Sequence, residues 1–460
     1  MSGIPSQERT VQNFYAYVDE NADRFVEELK KLCSQPSIAA QGVGTIETAC
    51  MVLDMLRGIG ADAHLWEVPD APPVVYGEIG QGQKTLIIYD HYDVQPPEPL
   101  ELWESQPFSP EIRDGFLYCR GVADNKGDLV SRLQAIEAYQ ATMGSLPLKI
   151  KFVFEGEEEI GSPHLAQYVD ENKELLAGAD GCLWEGARVD MSGRPELYLG
   201  LKGILYVELR ARGASRDIHS SWAPLVPNPV WRLVWALNSL KDGNDRLTLD
   251  GLMEHVAEPP PEELEIVKKI PFHDQEIKED LGLPELLGGV EGTEAVRKLL
   301  YSPTCTICGM VGGYTGESAK TVLPHEARVK LDFRLVPNLE PELVLDLLRS
   351  HLDRRGFEDV EIVAVSGERP AKCPVDAPVA LAAAQAASIV YGQEPVVYPS
   401  MAGSGPMYAL SVALGIPAVS GMGVGHAQSM IHAPNENIRL EDYYRSIKFT
   451  GEFIRIFAEM

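Results

Sequence analysis

Three short apolar runs, each leading into polar residues able to do chemistry, constrain the fold of this chain most. They are Thr85–Tyr89, Leu148–Phe154 and Gly181–Trp184. Runs of this kind suit buried strands of a sheet covered by helices. Between the first two, after Asp124, the residues Leu129, Leu133 and Ile136 mark one face of a helix. The order predicts βαβ units around a largely parallel sheet. Residues just past those strand ends then stand where open α/β sheets bind ligands.

Near residue 200 the pattern changes. Leu205, Val207, Leu209 and Ala211 alternate with Tyr206, Glu208, Arg210 and Arg212, which predicts a half-exposed strand. A helix follows Pro229, with Leu233, Leu237 and Leu240 as its apolar face. Val329, Leu331, Phe333 and Leu335 alternate with Arg328, Lys330, Asp332 and Arg334 in a second such strand. Leu343, Val344, Leu347 and Leu348 face a helix ending near Gly356, and Val360–Val365 reads as a third strand. Strand, helix, strand, helix, strand predicts a small α+β domain on an open antiparallel sheet. Residues 242–300 form an acidic, proline-interrupted insertion, expected to be helical. The first pattern then returns, with an Ala-rich helix over Val379–Ile389 and a strand at Ile416–Val419. Tyr443, Ile447, Ile454 and Phe457 mark a closing helix. The expected fold class is α/β: a mostly parallel catalytic domain, 1–200 and 369–460, interrupted by an inserted α+β domain, 201–368.

An apolar fraction of 45% over 460 residues is ample for a buried core. A formal charge of -28 repels phosphate backbones, so nucleic acid is not an expected partner. No stretch reaches the roughly 18 apolar residues of a membrane span, so no membrane partner is expected either. Residues 1–32 lack the basic start and apolar centre of a signal peptide. Val11, Phe14, Val18, Phe25, Leu29 and Leu32 recur there at helical spacing instead. Seven scattered cysteines, an odd number, favour free thiols in a reducing compartment, so a cytoplasmic location is expected. Cys305 and Cys308 form a lone C-x-x-C with no second ligand pair, and read as ordinary strand cysteines.

Five places carry candidate chemistry. His91 ends a strand, and Asp93, two residues on, can accept its other ring N–H and fix the tautomer. Asp124, within Gly121–Gly127, has two oxygens able to bridge two metal ions, although an aspartate there also suits a helix N-cap. Glu155, Glu157, Glu158 and Glu159 crowd after an apolar strand. A cation would relieve their repulsion, and one carboxylate left over could act as a base. Glu185 ends its strand, and His432 lies in His432-Ala433-Pro434-Asn435-Glu436. Each residue alone has an ordinary surface or capping explanation. Their sum, two imidazoles and several carboxylates at strand ends, points to zinc, with manganese or cobalt as substitutes.

These motifs closely resemble the carnosinase and cytosolic nonspecific dipeptidase branch of a di-zinc hydrolase family. That family also holds aminoacylases, acetylornithine and succinyl-diaminopimelate deacylases and carboxypeptidase G. The resemblance rests on His91–Pro96, Gly121–Gly127 and Glu155–Ser162. It continues through Gly312-Gly313-Tyr314, Lys320–Pro324, Phe333–Pro337 and the His432 motif. It implies that His91 and Glu185 bind one zinc, Glu159 and His432 the other, and that Asp124 bridges them. It further implies that Asp93 orients His91 and that Glu158 is the general base and acid. The inserted domain would be a lid that also mediates homodimerisation. His219 would be a lid histidine reaching the neighbouring subunit's site. Arg334 and the Gly403-Ser404-Gly405 turn would bind the substrate's carboxylate end.

Three positions depart from the pattern. Asp90 stands where many relatives have Gly, and is expected to add a carboxylate beside the metal. Glu185 stands where carnosinase-like members have Asp, which resembles the aminoacylase and carboxypeptidase side. Ser221 stands where relatives often have Gly. The leading expectation is a metallopeptidase acting on dipeptides or short peptides from the carboxylate end. The alternatives are a deacylase of N-acyl amino acids and a non-catalytic binding protein that kept the fold.

Overall fold

A computed structural model describes residues 6–460, with side chains from residue 11 onward. The first residues of the stretch read against a signal peptide, and of the expected catalytic half, lie outside the described residues. The chain forms two compact units. One comprises the chain through Gly200, Lys372–Pro399 and Pro406–Met460; the other comprises Leu201–Ala371 and Ser400–Gly405.

The first unit is built on an eight-stranded sheet. Its spatial order is Asp62–Trp66, Val74–Ile79, Lys149–Glu155, Thr85–His91, Gly181–Val189, Ala418–His426, Glu196–Tyr198 and Val396–Tyr398. The four central strands, from Lys149–Glu155 to Ala418–His426, run parallel. Leu86, Ile87, Ile88, Ile150, Phe152, Leu183 and Val419 are fully buried in them. Parallel strands need helical crossovers on their faces, which is why both faces are apolar. Helix Lys126–Met143 packs beneath the sheet beside Leu440–Glu459, and both bury most of their residues.

One expectation is corrected. The strand beginning at Gly181 does not end at Glu185 but continues to Val189. Its regular pairing ends there instead. Ser420 faces Trp184, but the next partners are Met422 with Ala187 and Gly425 with Arg188. Gly186, at φ +83°, adopts the left-handed backbone that such an irregularity requires. Glu185 therefore sits at a bulge inside a strand, a feature that apolar periodicity does not reveal.

The second unit is a four-stranded antiparallel sheet, in the order Thr306–Gly312, Glu326–Leu335, Gly203–Arg212 and Glu361–Glu368. Leu205, Val207, Leu209, Leu331 and Phe333 bury one face. They meet Leu233, Ala236 and Leu240 of helix Pro229–Leu240, and Val344, Leu348 and Leu352 of helix Pro341–Arg354. Three strands were expected; the fourth is the edge strand Thr306–Gly312. Ile307, Met310 and Val311 in it are exposed, so it lacks the alternation that marks a half-buried strand. Cys308 lies in this strand and the buried Cys305 just before it, and all seven cysteines are free. The acidic insertion holds short helices, Pro261–Val267, Asp274–Asp280 and Gly292–Tyr301, joined by turns. Among the described residues, no helix is long and apolar enough to cross a membrane.

Candidate metal centre

His91 closes the strand Thr85–His91, and Asp93 follows it; both side chains are buried. An Asp93 oxygen lies 3.4 Å from His91 Nδ1, which also meets the Asp93 carbonyl at 3.1 Å. The two Asp93 oxygens accept the backbone N–H groups of Glu158 and Glu159, each at 3.1 Å. Those donors open the 3₁₀ turn Glu158–Ile160, whose first N–H groups have no partner within the turn. One carboxylate thus orients the imidazole and caps the acidic turn.

Asp124 is held from behind. Buried Glu436 accepts from Ala123 N at 2.9 Å and Asp124 N at 3.1 Å through one oxygen. Its other oxygen accepts from Gly121 N at 2.9 Å and Arg120 Nη1 at 2.6 Å. With its backbone fixed, Asp124 presents both oxygens outward. Oδ1 lies 3.0 Å from His91 Nε2, and Oδ2 lies 3.2 Å from His432 Nε2. Glu185 Oε2 lies 3.3 Å from the same His91 nitrogen, and Glu159 Oε2 lies 3.1 Å from His432 Nε2. Donor atoms of Asp124, Glu159 and His432 all fall within 4.8 Å of one another. Glu158 Oε2 stands 4.0 Å from His91 Nε2. Gln95 steadies Glu159, donating from its backbone N at 3.2 Å and its amide at 2.9 Å.

These distances fit divalent metal. Zinc bonds of about 2.0–2.1 Å at tetrahedral angles place neighbouring donor atoms about 3.3 Å apart. Glu185 Oε2 is buried without a hydrogen-bond partner, as expected of an oxygen reserved for a cation. The electrostatics agree. Burial pushes Glu158 and Glu185 well above the usual carboxylate range. Burial opposes charge on His91, but Glu185, Asp124 and Asp93 outweigh it and raise its pKa well above the ordinary value. Hydrogen bonds that the ring donates to Asp124 and Glu159 push His432 up to about 10. Burial works against Asp124, yet His432 and His91 hold it below the usual range. Protons here do what a cation would do, neutralising crowded carboxylates.

The structure thus brings His91, Asp93, Asp124, Glu158, Glu159, Glu185 and His432 into one cluster. Asp90 was expected to add a carboxylate beside the metal. Successive strand residues point to opposite faces, and its buried oxygen instead meets Arg132 Nη1 at 2.9 Å. Arg132 also donates to Tyr89 O and Trp184 O, each at 2.8 Å. Sequence reading missed Gln95, Arg132, Asp128 and the role of Glu436; of these, only Gln95 and Glu436 lay inside a recognised motif.

The remaining predicted residues lie in the second unit. Arg334 projects from the polar face of its strand, and its Nη1 donates to Ser404 Oγ at 2.9 Å. Ser404 donates in turn to Gly203 O at 3.0 Å, and Gly403 O accepts from Lys202 N at 3.0 Å. His219 is exposed. Its Nδ1 accepts the Ser221 backbone N–H at 3.1 Å and lies 2.9 Å from the Ser221 hydroxyl. Nε2 lies 3.3 Å from Thr321 Oγ1, so Ser221 and Thr321 together set the ring's orientation.

A mostly parallel α/β sheet with this cluster gathered from strand ends, a strand bulge and loops defines a metal-dependent hydrolase. The chain belongs to peptidase family M20/M25/M40, which matches residues 87–456, and is a metallopeptidase. It is 29% identical over 367 residues to the Cys-Gly metallodipeptidase dug1 of Schizosaccharomyces pombe, covering 75% of this chain and 76% of that one. It is 26% identical over 476 residues to the Beta-Ala-His dipeptidase of Rattus norvegicus, covering 98% and 96%. Among solved structures it is similar to the M20 family metallo-carboxypeptidase Sso-CP2 of Sulfolobus solfataricus. That likeness has a TM-score of 0.90 at 41% identity, over 95% of this chain and 99% of that chain.

Proposed function

We propose that this protein hydrolyses the amide bond of dipeptides and short peptides that end in a free carboxylate, using two divalent metal ions. The observation that carries the reading is the shared carboxylate. Asp124 offers one oxygen to the His91 and Glu185 side and the other to the His432 and Glu159 side. His91, Asp124 and Glu185 would hold one ion, and Asp124, Glu159 and His432 the other. Zinc suits the mixed nitrogen and oxygen donors, with manganese or cobalt as substitutes. When bound, such ions polarise a carbonyl and acidify water.

Glu158 is the carboxylate of the turn that neither donor set needs. It takes the proton of the attacking water and returns it to the leaving nitrogen. Asp93 keeps Glu158 and His91 in fixed relation through its hydrogen bonds to both. Arg334, whose planar fork suits a carboxylate, binds the substrate's C-terminal end with Ser404 and Gly403. His219 donates to the oxyanion of the tetrahedral intermediate. The unit carrying these groups serves as lid and homodimer contact. Two relatives named for dipeptides, and a similar structure described as a metallo-carboxypeptidase, support a substrate read from its carboxylate end.

Glutamate at 185 supports a second reading, removal of acyl groups from N-acyl amino acids. A panel of dipeptides, their C-terminal amides and N-acetyl amino acids separates the two. The dipeptides are expected to turn over fastest and their amides poorly. Preference for the acetyl panel would overturn the dipeptidase reading.

A further inference from the structure

Asp128 is a fully buried carboxylate in the first turn of helix Lys126–Met143, and the chemistry above makes no use of it. Its surroundings are specific. Pairing between Gly181–Val189 and Ala418–His426 lapses on either side of Met422, which leaves Gly186 and Val424 without ladder partners. Asp128 fills that gap. One oxygen accepts Val424 N at 2.7 Å; the other accepts Gly186 N at 3.1 Å and Asn125 Nδ2 at 3.2 Å. Gly423 leaves room for it, because a Cβ there would lie 2.5 Å and 2.7 Å from the two oxygens.

Two of the three donors, Gly186 N and Asn125 Nδ2, have something in common. Gly186 N shares a peptide plane with the carbonyl of Glu185, and that carbonyl accepts from the Ser420 hydroxyl. The plane after Glu185 is therefore pinned at both ends. Asn125 follows Asp124, and its Oδ1 accepts His91 N at 3.3 Å. Asp128 thus holds the backbone after Glu185 directly and, through the Asn125 side chain beside Asp124, the backbone N of His91, so it stands behind the donor set of His91, Glu185 and the shared Asp124. The Glu159 and His432 side is steadied separately, by Gln95 on Glu159. A carboxylate with two backbone N–H donors is a rigid fixture, and partners behind ligands set affinity without touching the ion.

We infer that Asp128 is a positioning residue that sets the affinity of the His91, Asp124 and Glu185 donor set for its metal ion, and leaves the Glu159 and His432 side alone. The inference rests on the ligand assignment proposed above. The experiment is metal titration of the stripped full-length protein with Zn²⁺ alone and, separately, Co²⁺ alone. Binding is followed by equilibrium dialysis and by the visible absorption of cobalt. Asp128→Asn is compared with Glu185→Gln and Glu159→Gln. In Asp128→Asn, one ion is expected to bind roughly 10–100-fold more weakly and the other within about twofold of the parent. Its cobalt spectrum is expected to lose the component that Glu185→Gln loses. Two ions bound as in the parent, or both weakened alike as a general loss of structure would produce, would overturn the inference. If Asp128→Asn is not recovered folded, Asp128→Ser, which fits the same gap with one acceptor, is judged by the same two outcomes. Unchanged binding of both ions in Glu185→Gln and Glu159→Gln would overturn the ligand assignment itself.

Discussion

Glu436→Gln tests the support behind Asp124 in the absence of metal. The substitution keeps the side chain's shape but replaces one oxygen with an NH₂ group that cannot accept. The remaining oxygen turns toward Arg120, its only charged donor, at the 2.6 Å contact. The NH₂ then faces the N–H groups of Ala123 and Asp124, which now donate to Glu436 at 2.9 Å and 3.1 Å. Each buried donor left unsatisfied costs about 1–3 kcal/mol, so the two together cost about 2–6 kcal/mol. Arg120, buried beside a neutral amide, loses its ion pair as well, which adds to the cost. Against a typical total of about 5–15 kcal/mol, that is a large fraction. The assay is thermal unfolding of metal-stripped protein at fixed scan rate, with Glu441→Gln on an exposed helix face as the control. The parent and control are expected to unfold together, and Glu436→Gln several degrees lower. Coincidence of all three would refute the claim that Glu436 holds the 121–124 segment.

Glu158→Gln is expected to lower kcat by about 10²–10⁴-fold with metal content unchanged, checked by steady-state kinetics beside elemental analysis. Removing metal with a chelator should abolish hydrolysis, and adding zinc, manganese or cobalt should restore it; activity that survives a verified metal-free state would refute the mechanism. Arg334→Lys loses the planar fork, so KM should rise for free peptides but not for their C-terminal amides, measured on matched substrate pairs.

The parallel strands and their chemistry were legible because their signals are local. Thr85–His91 carries its apolar run and its His-x-Asp ending within nine residues, Thr85 to Asp93. The edge strand Thr306–Gly312 was legible only as the strand around Cys308 and not as a member of this sheet, since its exposed apolar residues follow neither periodic template. Glu185 was found as a candidate, but its place in a bulge depends on partners in Ala418–His426. Asp128 and Glu436 were passed over for the same reason. Asp128 meets Val424 across 296 positions, and Glu436 meets Asp124 across 312. A buried carboxylate looks like any surface carboxylate until the donors around it are known. Asp90 shows the reverse error, since adjacency to His91 in sequence suggested proximity that strand alternation prevents.

The strand Ala418–His426 is threaded between Gly181–Val189 and Glu196–Tyr198, both made far earlier in the chain. During synthesis a ribosome releases every other member of the cluster, from His91 to Glu185, long before it releases His432. Until residues beyond 418 emerge, the sheet has a slot where its last-made strand belongs, and the half-built cluster lacks one imidazole. On the ligand assignment proposed above, the second donor set is completed only after synthesis of this late strand. The same slot leaves unpaired strand edges waiting, the feature that makes incompletely folded chains prone to aggregation.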